Sequence, residues 1–311
     1  INRVVAASLA DDQALRIDHY LGKPAVQNLM ALRFGNVLFE PLWRRESIAS
    51  IHIRLDESIG VGTRGDFYDQ TGALRDMIQN HALQLLTMVA MEPPARLTPD
   101  DIHAEKLKVL HALKPFDESS VARDVVRGQY AGYRDEPKVA RDSRTETYVS
   151  LRAEVENWRW AGVPFALTTG KRLADKSAEI VVRFRPTPHS IFPGATRPNK
   201  LVIKLQPEDG LELHLLAAKG ASYGEALTPV FLDLDFEKAF AQDRVGAYER
   251  LLLDAIAGRR NLFVRGDEQE AAWRWVEPIL TAWARDDAQG GRPLTYVTGS
   301  HGPAIERLAA E

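Results

Sequence analysis

The stretch 73–91, ALRDMIQNHALQLLTMVAM, carries apolar side chains around most of a helical circumference. A helix that is apolar on nearly every side has no face to offer water, so it belongs at the centre of a large core. Pro93 and Pro94 follow at once and end it. A polar cluster interrupts the apolar surface at Arg75-Asp76 and Asn80-His81. Polar groups in a buried helix need partners.

The rest of the chain must supply the walls around that helix. Ser47–Leu55 (SIASIHIRL) alternates like a strand, and YVSLRAEV, EIVVRFR, KLVIKLQP and LELHLLAAK read the same way. Turn-rich segments such as RPTPHSIFPGATRPN separate the later runs, with no helix between them. Such runs can join without helical crossovers, which predicts an open antiparallel sheet. A short strand is expected over 14–21, then a helix from Pro24 to about Arg33. Residues 101–113, 117–128, 236–258 and 267–286 read as further helices, and the tail GSHGPAIERL as a loop and a short helix.

A chain of 311 residues with 45% hydrophobic content can bury a large core, in one large domain or two smaller ones. The net charge of −3 offers no basic surface for nucleic acid. With no cysteine there is neither a disulfide frame nor a thiolate metal site. No apolar run reaches the roughly 18 residues of a membrane span. No signal peptide is visible, and a soluble, cytoplasmic protein is expected. Ile1, Val4, Val5 and Leu9 form an amphipathic stripe with no capping residue before it. The chain therefore reads as a fragment that starts inside a helix.

Gly60-Val61-Gly62-Thr63-Arg64-Gly65 matches a dinucleotide fingerprint on paper. In such a fingerprint the glycines follow a strand directly and an acidic residue ends a second strand downstream. Here Asp56, Glu57 and Ser58 intervene, and the downstream acid, Asp76, lies in the apolar helix. A glycine-rich surface loop is the expected reading.

The densest polar cluster is RIDHYLGKP, Arg16 to Pro24. On a strand, Asp18 and Tyr20 would face one way and His19 the other. Gly22-Lys23-Pro24 leads into a helix, whose N-terminus favours an anion. Lys23 is well placed for a phosphate, with His19 and Tyr20 as further donors; a solvated strand end is the alternative. Asp76 and His81, five residues apart, stand about 140° apart on an α-helix and would flank a sugar-sized ligand rather than bond each other. The alternative is that both are satisfied within the core. Glu57 ends the SIHIRL strand, and Lys171 and Lys176 lie in a turn before EIVVRFR, where an ordinary solvated turn is the competing reading.

Taken together these residues resemble the glucose-6-phosphate dehydrogenase family. The likeness rests on RIDHYLGK, QNLMALRFGNVLFEPLW, GALRDMIQNHALQLLTMVAMEPP, GVPFALTTGKRLADK, AYERLLLDAI and LTYVTGSHGP, in that order along nearly the whole chain. The resemblance implies oxidation of glucose 6-phosphate at C1 to the lactone, in the pentose phosphate pathway, with NADP, or in some members NAD, taking the hydride. It implies that His81 is the general base and that Asp18 orients it. His19, Tyr20 and Lys23 would hold the substrate phosphate, assisted by Lys176, while Glu57, Asp76 and Lys171 contact the sugar or its phosphate. It implies no metal, and a homo-oligomer, dimer or tetramer, with the sheet in the interface. Family members begin with a dinucleotide-binding domain that has no counterpart here; residues 1–23 would be its remnant plus the signature strand, and 24–311 the C-terminal domain. Cofactor-binding residues would then lie mostly outside this chain, and the chain alone could be a non-catalytic sugar-phosphate-binding and dimerisation unit. Pro24 stands where other members often carry an acid. The expected fold is α+β: a large, mostly antiparallel sheet with helices packed on one side.

Overall fold

A computed structural model describes residues 2–194, 197–218, 220, 226–239 and 246–303. Its helices are α1 (Asn2–Ser8), α2 (Pro24–Phe34), α3 (Gly65–Ala73), α4 (Leu83–Ala90), α5 (Pro99–His111), α6 (Glu118–Asp124), α7 (Phe236–Ala239), α8 (Ala247–Ile256) and α9 (Gly266–Ala288). A π-helix, Leu74–Ala82, joins α3 to α4. The strands are β1 (Arg16–Ile17), β2 (Ile48–Asp56), β3 (Val125–Tyr130), β4 (Tyr148–Glu154), β5 (Pro164–Gly170), β6 (Ser177–Phe184), β7 (Lys200–Gln206), β8 (Gly210–Ala218), β9 (Leu227–Asp235), β10 (Phe263–Val264) and β11 (Leu294–Tyr296). β1 pairs only with β10; the other nine form one sheet in the order β11-β3-β4-β5-β2-β6-β7-β8-β9.

The fold is α+β with a mostly antiparallel sheet, but two pairings are parallel: β2 with β5 and β11 with β3. These need long connections, so reading the runs as simple hairpins missed them. On one face Ile51, Ile53 and Leu55 of β2, Phe165 and Leu167 of β5, and Ile180 and Val182 of β6 are fully or almost fully buried. They share one core with Leu29 of α2, Ile78 of the π-helix, Leu85 and Leu86 of α4 and Trp275 of α9. The apolar stretch 73–91 is thus enclosed between the sheet and the outer helices, as its composition requires. The opposite face is polar, crossed by a chain from His52 Nε2 to Thr168 Oγ1 and on to Ser150 Oγ, each 2.9 Å.

Local chemistry explains several boundaries. Pro24 opens α2 from an extended Lys23, and the side chain of Thr98 caps α5 by accepting the Asp101 amide. The segment 117–128 is not one helix: an Asp117–Ser120 capping box starts α6, and β-branched Val125 and Val126 turn the chain into β3. The stretch 236–258 is not one described helix either, since α7 ends at Ala239, α8 starts at Ala247, and 240–245 lie outside the described residues. The short helix expected in the tail also falls outside them. No helix among the described residues is long and apolar enough to cross a membrane.

Candidate active site

β1 is only Arg16–Ile17, and the residues after it turn rather than extend. Three successive tight bonds wind this turn: Leu21 N–H to Asp18 O, Gly22 N–H to His19 O and Lys23 N–H to Tyr20 O, at 3.1–3.2 Å. Strand alternation therefore does not govern Asp18, His19 and Tyr20. The turn lets His19 and Tyr20 both lie beside His81, with ring centroids 4.6 Å away in each case. Gly22 is required here, because a Cβ would meet the Ala247 carbonyl oxygen of α8 at 2.6 Å.

His81 comes from the π-helix. There the hydrogen bond spans five residues rather than four, so the 140° offset that an α-helix would give Asp76 and His81 does not apply. His81 Nδ1 lies 2.7 Å from Asp18 Oδ1. The Tyr20 amide donates to the same oxygen at 2.9 Å, while Asp18 Oδ2 is buried without a partner. An ionised carboxylate there holds the proton on Nδ1 and leaves Nε2 as the basic nitrogen.

The second wall is built by the parallel β2–β5 pair. Asp56 and Gly170 are in register, and the Glu57 amide donates to the Gly170 carbonyl at 2.9 Å. Glu57 and Lys171 therefore leave the two strands side by side and form an ion pair. Lys171 Nζ is also 4.0 Å from Asp76 Oδ2 and lies over the ring of Tyr68, 4.9 Å from its centroid. Lys23 Nζ donates to the Leu205 carbonyl at 3.2 Å and sits 4.8 Å from the Tyr20 ring centroid. Lys176 is exposed just before β6, close enough to Lys23 to repel its charge.

Burial sets the electrostatics. It lowers the Lys23 ammonium to about 8, with Asp209 opposing the shift and Lys176 adding to it. It lowers His19 to about 4, helped by His81 and Lys23 and opposed by Asp18, so His19 is neutral at pH 7. Tyr20 is held above the usual phenol range, first by burial and then by Glu57, Asp18 and Asp76. The cluster thus offers a neutral imidazole, a phenol and a partly desolvated ammonium to an anion beside a carboxylate-held histidine.

All nine residues expected from sequence come to this region. Tyr248, from AYERLLLDAI, was not singled out; its ring stacks on His19 at 5.4 Å. Tyr68 and Asp209 were also missed, since nothing local in the sequence marks them as neighbours of Lys171 and Lys23. Gly60–Gly65 forms a loop and a short 3₁₀ turn before α3, four residues after β2 has ended, and does not make a dinucleotide turn. The donor atoms of Asp18, His19 and His81 lie within 4.8 Å of one another, a spacing that could hold a metal ion. The 2.7 Å contact already engages two of those donors with each other. A cavity of about 850 Å³ beside Arg33, Glu40, Trp158 and Arg159 contains none of the candidate residues.

Residues 30–311 match the family model described as glucose-6-phosphate dehydrogenase, C-terminal domain. The chain is 48% identical over 316 residues to glucose-6-phosphate 1-dehydrogenase of Mycolicibacterium smegmatis, covering 97% of this chain and 63% of that protein. It is 47% identical to the same-named protein of Rhizobium meliloti, covering 98% and 64%. A crystal structure of glucose-6-phosphate 1-dehydrogenase from Mycobacterium avium superposes with a TM-score of 0.84 at 42% identity, covering 97% of this chain and 63% of that one. A glucose-6-phosphate dehydrogenase in complex with its substrate glucose-6-phosphate superposes with a TM-score of 0.91 at 34% identity, covering 99% and 64%. The chain thus spans a little under two thirds of the length of these relatives.

Proposed function

Because the chain belongs to the glucose-6-phosphate dehydrogenase family, we propose that it supplies the substrate site and the general base for oxidation of D-glucose 6-phosphate at C1. The observation that carries this reading is the 2.7 Å contact of His81 with Asp18, set beside the anion-binding group of His19, Tyr20 and Lys23. His81 Nε2 takes the C1 hydroxyl proton while the C1–H bond gives up its hydride; the C1–O bond becomes a carbonyl and the product is the lactone. An imidazole with an ordinary value of about 6.5 suits a base near neutral pH, and Asp18 stabilises the imidazolium that forms. Lys23, His19, Tyr20 and Lys176 hold the phosphate, and Glu57, Asp76 and Lys171 hold the sugar hydroxyls.

A nicotinamide dinucleotide, NADP or NAD, supplies the hydride acceptor when bound. Gly60–Gly65 lacks the geometry of a dinucleotide turn. We assign residues 1–23 to the end of a dinucleotide-binding domain plus the turn of the site, and 24–311 to the substrate domain. The setting we assign is the cytoplasmic pentose phosphate pathway. The sheet face away from the helices, with Phe231 of β9 exposed on it, is the surface we propose a second copy covers.

The test is His81→Asn in the intact protein, assayed for dinucleotide reduction with glucose 6-phosphate and titrated with the sugar phosphate by calorimetry. Turnover is expected to fall by at least about 10³-fold with affinity within about threefold. A variant that keeps near-normal turnover overturns the assignment of His81 as base.

A further inference from the structure

We infer that Glu146 is a positioning residue that sets the two walls of the sugar site against each other; this rests on the reading of that site given above. Glu146 lies on the segment leading into β4 and is buried. Its Oε1 accepts the Leu74 amide at 3.0 Å, and its main-chain oxygen accepts the Ala73 amide, also at 3.0 Å. These are the amides at the start of the π-helix, three and two residues before Asp76 and eight and seven before His81. A helix start leaves such amides without intrahelical partners, and a buried unpaired amide is costly. One glutamate satisfies both.

The backbone is shaped to admit that carboxylate. Gly72 has φ +73 and ψ 168, which breaks the helix between α3 and the π-segment. A Cβ on Gly72 would lie 2.3 Å from Glu146 Oε1, so only glycine allows both the break and the approach. The same strand reaches the opposite wall. Thr147, the next residue, accepts the Lys171 amide on its carbonyl at 2.9 Å. Its hydroxyl accepts the Tyr130 amide and bonds the Tyr296 hydroxyl, at 2.9 and 3.0 Å. Glu146 thus ties down the segment bearing Asp76 while its neighbour ties down the one bearing Lys171. The 4.0 Å separation of Lys171 from Asp76 is the result. Thr145 anchors the segment further by donating its hydroxyl to the Asp69 carbonyl of α3. Glu146 touches neither substrate nor reacting atoms in this scheme; it acts through Asp76 and Lys171.

The test uses the intact protein and three variants, with KM for glucose 6-phosphate, KM for the dinucleotide and kcat measured separately. Glu146→Asp keeps a carboxyl group but withdraws the acceptor by one methylene. Glu146→Gln keeps an acceptor oxygen in place without an ionisable group. Glu146→Ala removes both. Glu146→Asp is expected to raise KM for glucose 6-phosphate about tenfold with the dinucleotide KM unchanged. Glu146→Gln is expected to stay within about threefold of the parent. An unchanged KM in Glu146→Asp, or equal damage in Glu146→Gln, overturns the inference. Should Glu146→Ala fail to fold, the other two variants decide. The parent protein is assayed alongside: absence of turnover on glucose 6-phosphate there refutes the functional reading itself and is distinct from failure of the Glu146 assignment.

Discussion

Asp18→Asn removes one charge from the site and almost no volume. The carboxylate sits 2.7 Å from His81 Nδ1 and also accepts the Tyr20 amide at 2.9 Å, so an amide oxygen can keep both contacts. What disappears is the attraction between the carboxylate and the positive charge that grows on His81 as it takes the C1 hydroxyl proton. Two unit charges whose centres are about 4 Å apart attract by about 4 kcal/mol at an effective dielectric constant of about 20. Only part of a full charge has developed in the transition state, which leaves about 3 kcal/mol at stake, or about 10²-fold in rate. Among the described residues Asp18 Oδ2 has no hydrogen-bond partner, and a buried, half-satisfied carboxylate is an expense to folding. Removing its charge is therefore expected to leave the melting temperature unchanged or raise it. The assay is initial-rate dinucleotide reduction at saturating glucose 6-phosphate, repeated with deuterium on C1. The expected result is a kcat about 10²-fold lower, an unchanged KM within about threefold, and a larger isotope effect because chemistry has become slower. A kcat within a factor of about three of the parent would refute the argument that Asp18 stabilises the charged histidine.

Two further expectations follow from charge and burial. Burial lowers Lys23 to about 8, and its phosphate-binding form is the protonated one, so that form predominates below pH 8, is half gone at pH 8 and is lost as pH rises further. KM for glucose 6-phosphate is expected to rise as pH climbs through 8, and Lys23→Arg, which stays charged, is expected to flatten the rise; a flat KM up to pH 9.5 in the parent would contradict this. Arg33 is fully buried, pairs with Glu40, and donates to the carbonyls of Met88, Val89 and Met91 at the end of α4. Arg33→Leu removes the donor to the Met88 and Met91 carbonyls, while the Val89 carbonyl keeps its bond from Trp43 Nε1–H, and is expected to cost about 3 kcal/mol or more, read as a lower thermal midpoint; an unchanged midpoint would show that water satisfies the two carbonyls.

The residues of the site were legible in the sequence because their chemistry is concentrated in short runs. RIDHYLGKP gathers an acid, an imidazole, a phenol and a cation, and the apolar stretch 73–91 must be buried whatever surrounds it. That requirement also places Asp76 and His81 indoors, where they need partners. Periodicity failed where the backbone leaves its regular forms. Strand alternation put His19 on the wrong side because three tight bonds curl Asp18–Lys23 into a turn. The α-helical repeat does not hold between Asp76 and His81 because the helix widens to a π-form there. Pattern analysis sees residues a few positions apart and assumes a regular repeat between them. It has no access to pairings between segments far apart in the chain. The parallel pairing of β2 with β5 sets Glu57 beside Lys171 across 114 positions. Glu146 reaches back 72 positions to Leu74, just past the break at Gly72. The chemistry of each side chain is thus written locally, whereas which of them meet, and at what distance, follows from the strand pairings of the nine-stranded sheet and from the packing of one irregular helix against it.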